Sequence, residues 1–390
     1  MSGGRPSGRP STRHLDVLVV GGGIIGLSVA RELAGRGRTV TLLERGAPGR
    51  EASAAAAGLL APLAEVPEPG PLFDAARDSR DLWASFHAEI AEESGLPVEY
   101  DDSGSLVVAA NEEEAAALDR LAAAAERVGE ATEEVTPDEA RALVPDLSAA
   151  VVRVLRLGGD HRVDNVAACA ALAEACLRRG VEILTDVEVR RVESAASGVR
   201  VAAGEAIYQA ATAVVAAGAW SSCLAGLSPL PVRPLRGQML SLGGVEWPWR
   251  GPIRAGERYA VGRGLANAVP RAGGSLLVGA TVEEAGFEPV NTASGLGELT
   301  TFLDRFLPAL AGRPVTSIWA GLRPATPDAQ PILGPWPARP NVWAATGHHR
   351  NGILLAPWTA RHLADLVDGG WDAAPETAFS ASRFAAAKLV

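Results

Sequence analysis

The residues best suited to chemistry stand near the start of the chain. Gly21-Gly22-Gly23-Ile24-Ile25-Gly26 fits G-x-G-x-x-G, and Glu44 follows about twenty residues later. In such a run the first glycine turns the chain sharply, the second lets a pyrophosphate approach the backbone, and the third lets helix and strand pack closely. Free N–H groups at the following helix start attract phosphate. An acid at the spacing of Glu44 accepts from ribose hydroxyls. The plain alternative is a glycine-rich turn in an α/β domain that binds nothing. Against it stands the order of parts. An apolar strand Val17 to Val20, the glycines, an apolar-periodic helix from Leu27 to Leu33, a second strand Thr39 to Leu43 and then the acid occur in sequence.

Two further groups carry chemical potential. Arg323 lies between a tryptophan-bearing strand and Pro324. A guanidinium there is either a structural ion pair or a bidentate carboxylate ligand. Gly347-His348-His349-Arg350-Asn351-Gly352 is a turn ahead of an apolar-periodic helix, expected from Ile353 to Val367. Its N-terminus is either an ordinary helix start or a donor set that stabilises an anion. The two histidines tune local charge or simply pack. The alanines before Gly58 form either a tightly packed helix or a small-residue face for a flat ring. No Ser-His-Asp or Cys-His set is visible.

The elements that position these groups read as α/β, interrupted and resumed. After Glu44 come a Pro-rich loop from Val66 to Leu72, a helix from Phe73 to Ser94, a hairpin from Val98 to Ala110 around Gly104, and helices from Glu112 to Arg127 and Asp138 to Leu143. Asp164 caps a helix from Asn165 to Arg179. A β-ribbon follows at Val187 to Val192 and Gly198 to Val201, then a buried strand at Ala211 to Ala217. From Val232 the pattern alternates, as in antiparallel strands, and Asn341 to Thr346 is again a buried strand.

Composition narrows the class. The 390 residues suffice for two domains, and 47% are hydrophobic. No apolar run is long enough to span a bilayer. A net charge of −10 argues against nucleic acid. Lys388 is the sole lysine, so nearly all basic charge is arginine. Cys169, Cys176 and Cys223 have no metal spacing and read as buried free thiols, consistent with a reducing cytoplasm. The Gly/Pro/Ser/Arg-rich stretch 1–14 reads as a disordered tail.

Together V-V-G-G-G-I-I-G, G-R-E-A-S-x-A-A-A-G-L-L, V-V-A-A-G-A-W-S, W-A-G-L-R-P-x-T-P-D and G-H-x-R-N-G-I-L-L-A-P resemble the D-amino-acid-oxidase-like flavoenzymes, above all the glycine oxidases of thiamine biosynthesis. The likeness runs from Asp16 to about Leu366. It implies an α/β plus α+β fold, with a discontinuous Rossmann-type FAD-binding domain (15–85, 150–230, 315–380) and a substrate domain on an antiparallel sheet (86–149, 231–314). It also implies noncovalent FAD, held by Gly21, Gly23, Ile25, Gly26, Glu44, Arg45, Ser53, Ala57, Gly58, Leu60, Val187, Ala217, Gly218, Trp220 and the run Arg350, Asn351, Gly352, Ile353 and Leu354. Val187 gives a backbone contact on the adenine side, and the amides of Gly352 to Leu354 meet the flavin pyrimidine edge. Arg323 pairs with the substrate carboxylate, and Arg350 lies close by. The implied reaction is oxidative deamination of glycine or a similar small amino acid, with O2 as electron acceptor. A homo-oligomer and hand-off of product to a thiazole synthase belong to the same expectation.

One departure stands out. Where those enzymes place a substrate-contacting tyrosine before V-P-R, this chain has Asn267. Aligning on tyrosine instead selects Tyr259 and requires an insertion. The altered wall keeps open an FAD-dependent dehydrogenase or tailoring enzyme for a larger amine. A noncatalytic flavin-binding subunit is the third class.

Overall fold

The computed structural model describes residues 14–195, 197–255, 266–371 and 374–384. The 1–13 part of the expected tail and Tyr259 lie outside the described residues.

Strand His14–Val20 sits in parallel register between Val40–Leu43 and Ala206–Val215. Glu182–Leu184 extends the sheet on one side, and Val342–Thr346 pairs in parallel with Ala206–Val215. From Val17 to Val20 the strand is apolar because both its faces are covered. Val17 and Val19 join one core with helices Ile24–Gly35, Pro71–Ser94, Asn165–Arg178 and Ala356–Gly369. Leu18 and Val20 join a second core against the antiparallel ribbon Val189–Ala195 and Gly198–Ala203. Two helix starts are set by side chains: Asp164 accepts from Val166 N and Ala167 N at Asn165–Arg178, and Thr136 with Glu139 closes a capping box on a further helix, Pro137–Leu143.

A second eight-stranded sheet runs in the order Val315–Ala325, Arg233–Leu242, Ser275–Gly279, Asn267–Arg271, Ile253–Ala255, Ser105–Ala109, Arg153–Leu157, Thr132–Val135. It is antiparallel except where Ile253–Ala255 meets Ser105–Ala109. Helix Ala293–Phe306 packs into its main core.

Several expectations change. The hairpin around Gly104 does not form. Tyr100–Asp101 pairs with His161–Val163, while Ser105–Ala109 pairs with Arg153–Leu157, so two successive strands meet two successive strands in different sheets. Arg153–Leu157 and Val315–Ala325 belong to the second sheet, and the latter pairs with Arg233–Leu242 along nearly its whole length. The last helix starts at Ala356, with Pro357 in its first turn, and residues 352–355 form a tight turn ahead of it. Cys169 and Cys176 are buried, and burial pushes both thiols up to about 12. Cys223, expected to be buried, is exposed. Among the described residues no helix is long and apolar enough to cross a membrane.

A polar chain ties the two sheets. Arg271 Nη2, from the second sheet, donates to Ala57 O at 2.9 Å and to Asn165 Oδ1 at 2.8 Å. Asn165 Nδ2 donates to Ser53 O at 2.7 Å. Ser53 Oγ accepts from Ile24 N, the opening amide of the first helix, at 2.9 Å.

The glycine turn is closely constrained. A Cβ on Gly26 would lie 1.9 Å from Gly21 O, a backbone atom that cannot give way. Gly26→Ala should therefore lower the urea-unfolding free energy by about 3 kcal/mol. A change within the error of the extrapolation would contradict this packing.

Candidate active site

Sixteen of the sequence-derived site residues border one continuous cleft between the sheets: Gly21, Gly23, Ile25, Glu44, Arg45, Ser53, Ala57, Gly58, Val187, Ala217, Gly218, Trp220, Arg323, Arg350, Gly352 and Ile353. Gly26, Leu60, Asn351 and Leu354 do not border it. Leu60 and Leu354 are buried in the core, and the Leu354 carbonyl accepts from Ser79 Oγ and Trp83 Nε1.

At the nucleotide end the backbone is arranged as a cradle. Gly21 has φ +104°, and a Cβ there would strike Ala216 O at 2.5 Å. A Cβ on Gly23 would meet a single group within 4 Å, the Ser53 hydroxyl at 3.2 Å. Gly23 itself has no side chain to cap the helix start, and the Ile24 amide is taken by Ser53 Oγ. Glu44 accepts from Gly22 N at 2.7 Å and Gly46 N at 2.9 Å, which fixes its carboxylate at the cleft wall. Arg45 stacks 3.7 Å from the Trp220 ring centroid and pairs with Glu51. This donor set, open glycine face and placed acid suit a dinucleotide such as FAD.

At the other end lies Arg323. Its side chain crosses the neighbouring strand: a Cβ on Gly237 would come within 2.2 Å of Arg323 Nη1. Among the described residues its guanidinium makes one hydrogen bond, to Thr281 O at 3.0 Å, and no ion pair. Burial and the nearby Arg350 charge pull it down to about 10, so it remains a cation at neutral pH. Met239 lies across Gly279 in the same way, and both border the cleft.

Arg350 is held differently. Its Nη2 lies 2.8 Å from Glu65 Oε2. Glu65 is the last residue of a short helix, Pro62–Glu65, and its Oε1 accepts from Arg254 Nη2 at 2.6 Å. Burial alone would raise the Glu65 carboxyl, but Arg350 and Arg254 hold it below its ordinary value. Arg254, fully buried, also donates to Asp160 Oδ2 at 3.2 Å and Asn267 Oδ1 at 3.0 Å. Asn267 borders the cleft and donates to Gly279 O at 3.2 Å. Glu65 and Arg254 were missed in the sequence. A lone acid before a Pro-rich loop and an arginine on an alternating strand carry no spacing signal. The pairing of Asp160 with Ser105, at 2.5 Å, was equally invisible.

His348 is buried, with Nε2 3.1 Å from Thr359 Oγ1, and burial pushes it down to about 3. His349 has φ +50° and borders the cleft; burial, then Arg323 and Arg350, push it down to about 4. Both rings are neutral at physiological pH.

A nucleotide cradle and a buried guanidinium facing one cleft are the parts of a flavin-dependent oxidoreductase. Residues 16–366 match the family DAO, FAD dependent oxidoreductase, and the chain belongs to it. Glycine oxidase from Geobacillus kaustophilus is 33% identical over 377 residues, 96% of this chain and 97% of its own. A crystal structure of glycine oxidase from that organism matches with a TM-score of 0.87 at 32% identity, covering 97% of this chain and all of the other. The bifunctional protein ThiO/ThiG of Nostoc is 36% identical over 353 residues, 90% of this chain and 52% of that protein.

Two outcomes follow from this geometry. Gly237→Ala should displace Arg323 and weaken acetate binding at least about tenfold, or 1.4 kcal/mol, with FAD content unchanged; undiminished binding would mean the guanidinium lies elsewhere. Unfolded histidines take up protons near pH 6.5, but these two do so in the fold only near 3 to 4. The unfolded state therefore binds more protons between those values, so stability is full above pH 6.5 and falls on acidification. The Tm should drop from pH 7 to pH 5, and less steeply in His349→Phe; equal slopes would contradict the assignment.

Proposed function

We propose that this chain is an FAD-dependent oxidase of glycine or a similarly small amino acid, with the substrate carboxylate on Arg323. The observation that carries this is the Arg323 guanidinium, a cation at the cleft whose hydrogen-bond partner among the described residues is one carbonyl. Burying a charge without a counter-ion is costly unless a ligand supplies one. A carboxylate does so with two parallel hydrogen bonds, which also fixes its orientation.

The cradle from Gly21 to Ile24, with Glu44 and Ser53, would hold the nucleotide end of FAD, and Gly352 and Ile353 would border its ring end. FAD held there would supply the two-electron oxidation, with O2 as the final acceptor, so that glycine, O2 and water would give glyoxylate, ammonia and hydrogen peroxide. The protein's own part is placement. Arg323 anchors the acid end, the sheet wall at Gly237, Met239 and Gly279 limits the space beside it, and the neutral histidines add no competing charge. Glycine oxidases and a ThiO/ThiG protein among the relatives support a role in thiamine biosynthesis, with the imine product passing to a thiazole synthase and the enzyme acting in the cytoplasm.

Anaerobic glycine should bleach the flavin absorbance, and reoxidation in air should release one peroxide per turnover. Arg323→Leu should raise KM roughly 10- to 150-fold, the equivalent of about 1.5–3 kcal/mol for a charged hydrogen bond. An enzyme that glycine and other small amino acids leave oxidised is not the oxidase described here. Bleaching without peroxide would make it a dehydrogenase.

A further inference from the structure

Two guanidiniums border the substrate end of the cleft, and their surroundings differ. Arg323 touches a carbonyl, whereas Arg350 is 2.8 Å from a buried carboxylate, Glu65. Glu65 is itself fixed from behind by Arg254, which pairs with Asp160. Among the described residues that line this end, the charged side chains are Arg323, Arg350 and Glu65, two positive and one negative, and the surplus equals the charge of a single carboxylate.

We propose that Glu65 is a specificity-determining residue that restricts the site to substrates with one acidic group, by occupying Arg350 and leaving Arg323 as the guanidinium offered to a carboxylate. This rests on the reading of Arg323 as the carboxylate ligand. Glu65 acts through Arg350 and need not touch the substrate. A second acidic group entering the cleft meets the Glu65 charge rather than an unpaired cation. The rigidity of the device comes from Arg254, whose contacts to Glu65, Asp160 and Asn267 hold the carboxylate on the Arg350 side. Asn267 strengthens the case. Both ends of its amide are engaged by Arg254 and Gly279 O, so the wall that replaces a tyrosine is held in place by the same arginine that orients Glu65.

The test is a charge cycle on the FAD-loaded enzyme, read as perturbation of the flavin absorbance by acetate and by malonate at pH 8. Wild type should bind acetate more tightly than malonate. Glu65→Gln should raise malonate affinity relative to acetate at least tenfold. Arg350→Gln, which leaves the Glu65 charge facing the cleft, should weaken acetate tenfold or more. The double variant Glu65→Gln/Arg350→Gln should return both affinities to within threefold of wild type. That recovery separates charge from structure, since a merely structural Glu65 makes the double variant no better than the worse single one. Should Glu65→Gln fail to hold FAD, Arg350→Gln and the double variant still decide the matter. An unchanged malonate-to-acetate ratio, or no recovery, overturns the proposal while acetate binding to wild type leaves the Arg323 site standing. Absence of acetate binding in wild type removes both.

Discussion

An arginine side chain lying flat on a glycine, with a backbone carbonyl for company, is the constraint around which the second sheet is built. Arg323 reaches the cleft because strand Val315–Ala325 is locked to Arg233–Leu242 in a register that puts Gly237 beneath its guanidinium. Any side chain at 237 would fill that path. The register in turn is set by long antiparallel pairing and by the core under Leu240 and Leu242. A one-residue slip would turn Arg323 to the other face of the sheet. Among the described residues the Arg323 guanidinium has no ion-pair partner, and a buried charge so placed costs stability in an empty site and favours an anion there.

The nucleotide half was legible in the sequence because its parts are contiguous. Strand, glycines, helix, strand and Glu44 fall within thirty residues or so, and each obeys a local rule: apolar runs for a strand covered on both faces, Asp164 and Thr136 as caps, glycines where a Cβ would strike a carbonyl. The substrate half was legible only in outline. Arg323 and Arg350 stand in recognisable surroundings, but the acid that faces Arg350 comes from a different segment. No local rule connects Glu65 with Arg254 or Arg254 with Asp160, because those contacts span 189 and 94 residues. The hairpin misreading has the same origin. Alternation predicts strands on either side of Gly104, but which strands they pair with is decided by Arg153–Leu157 and His161–Val163, far along the chain.

Electrostatics divide the cleft in two. Near the cradle, charges are balanced locally, as in Arg45 with Glu51, and a bound phosphate would meet backbone donors rather than side-chain cations. At the far end, low exposure makes each charge count for more, and the protein answers with one tight pair and one guanidinium left for the ligand. Two histidines held neutral keep that difference intact through the physiological range.

The two ends of strand Asn267–Arg271 are tied to different parts of the structure. Asn267 borders the cleft, and four residues on Arg271 grips Ala57 and Asn165, whose amide continues to Ser53 and the opening amide of the first helix. Where such a strand responds to occupancy, the free energies are reciprocal: whatever factor FAD adds to the grip on an amino acid, the amino acid returns to the grip on FAD. Turnover would then find the cofactor most firmly retained at the moment it is needed, and most easily lost from an enzyme starved of substrate.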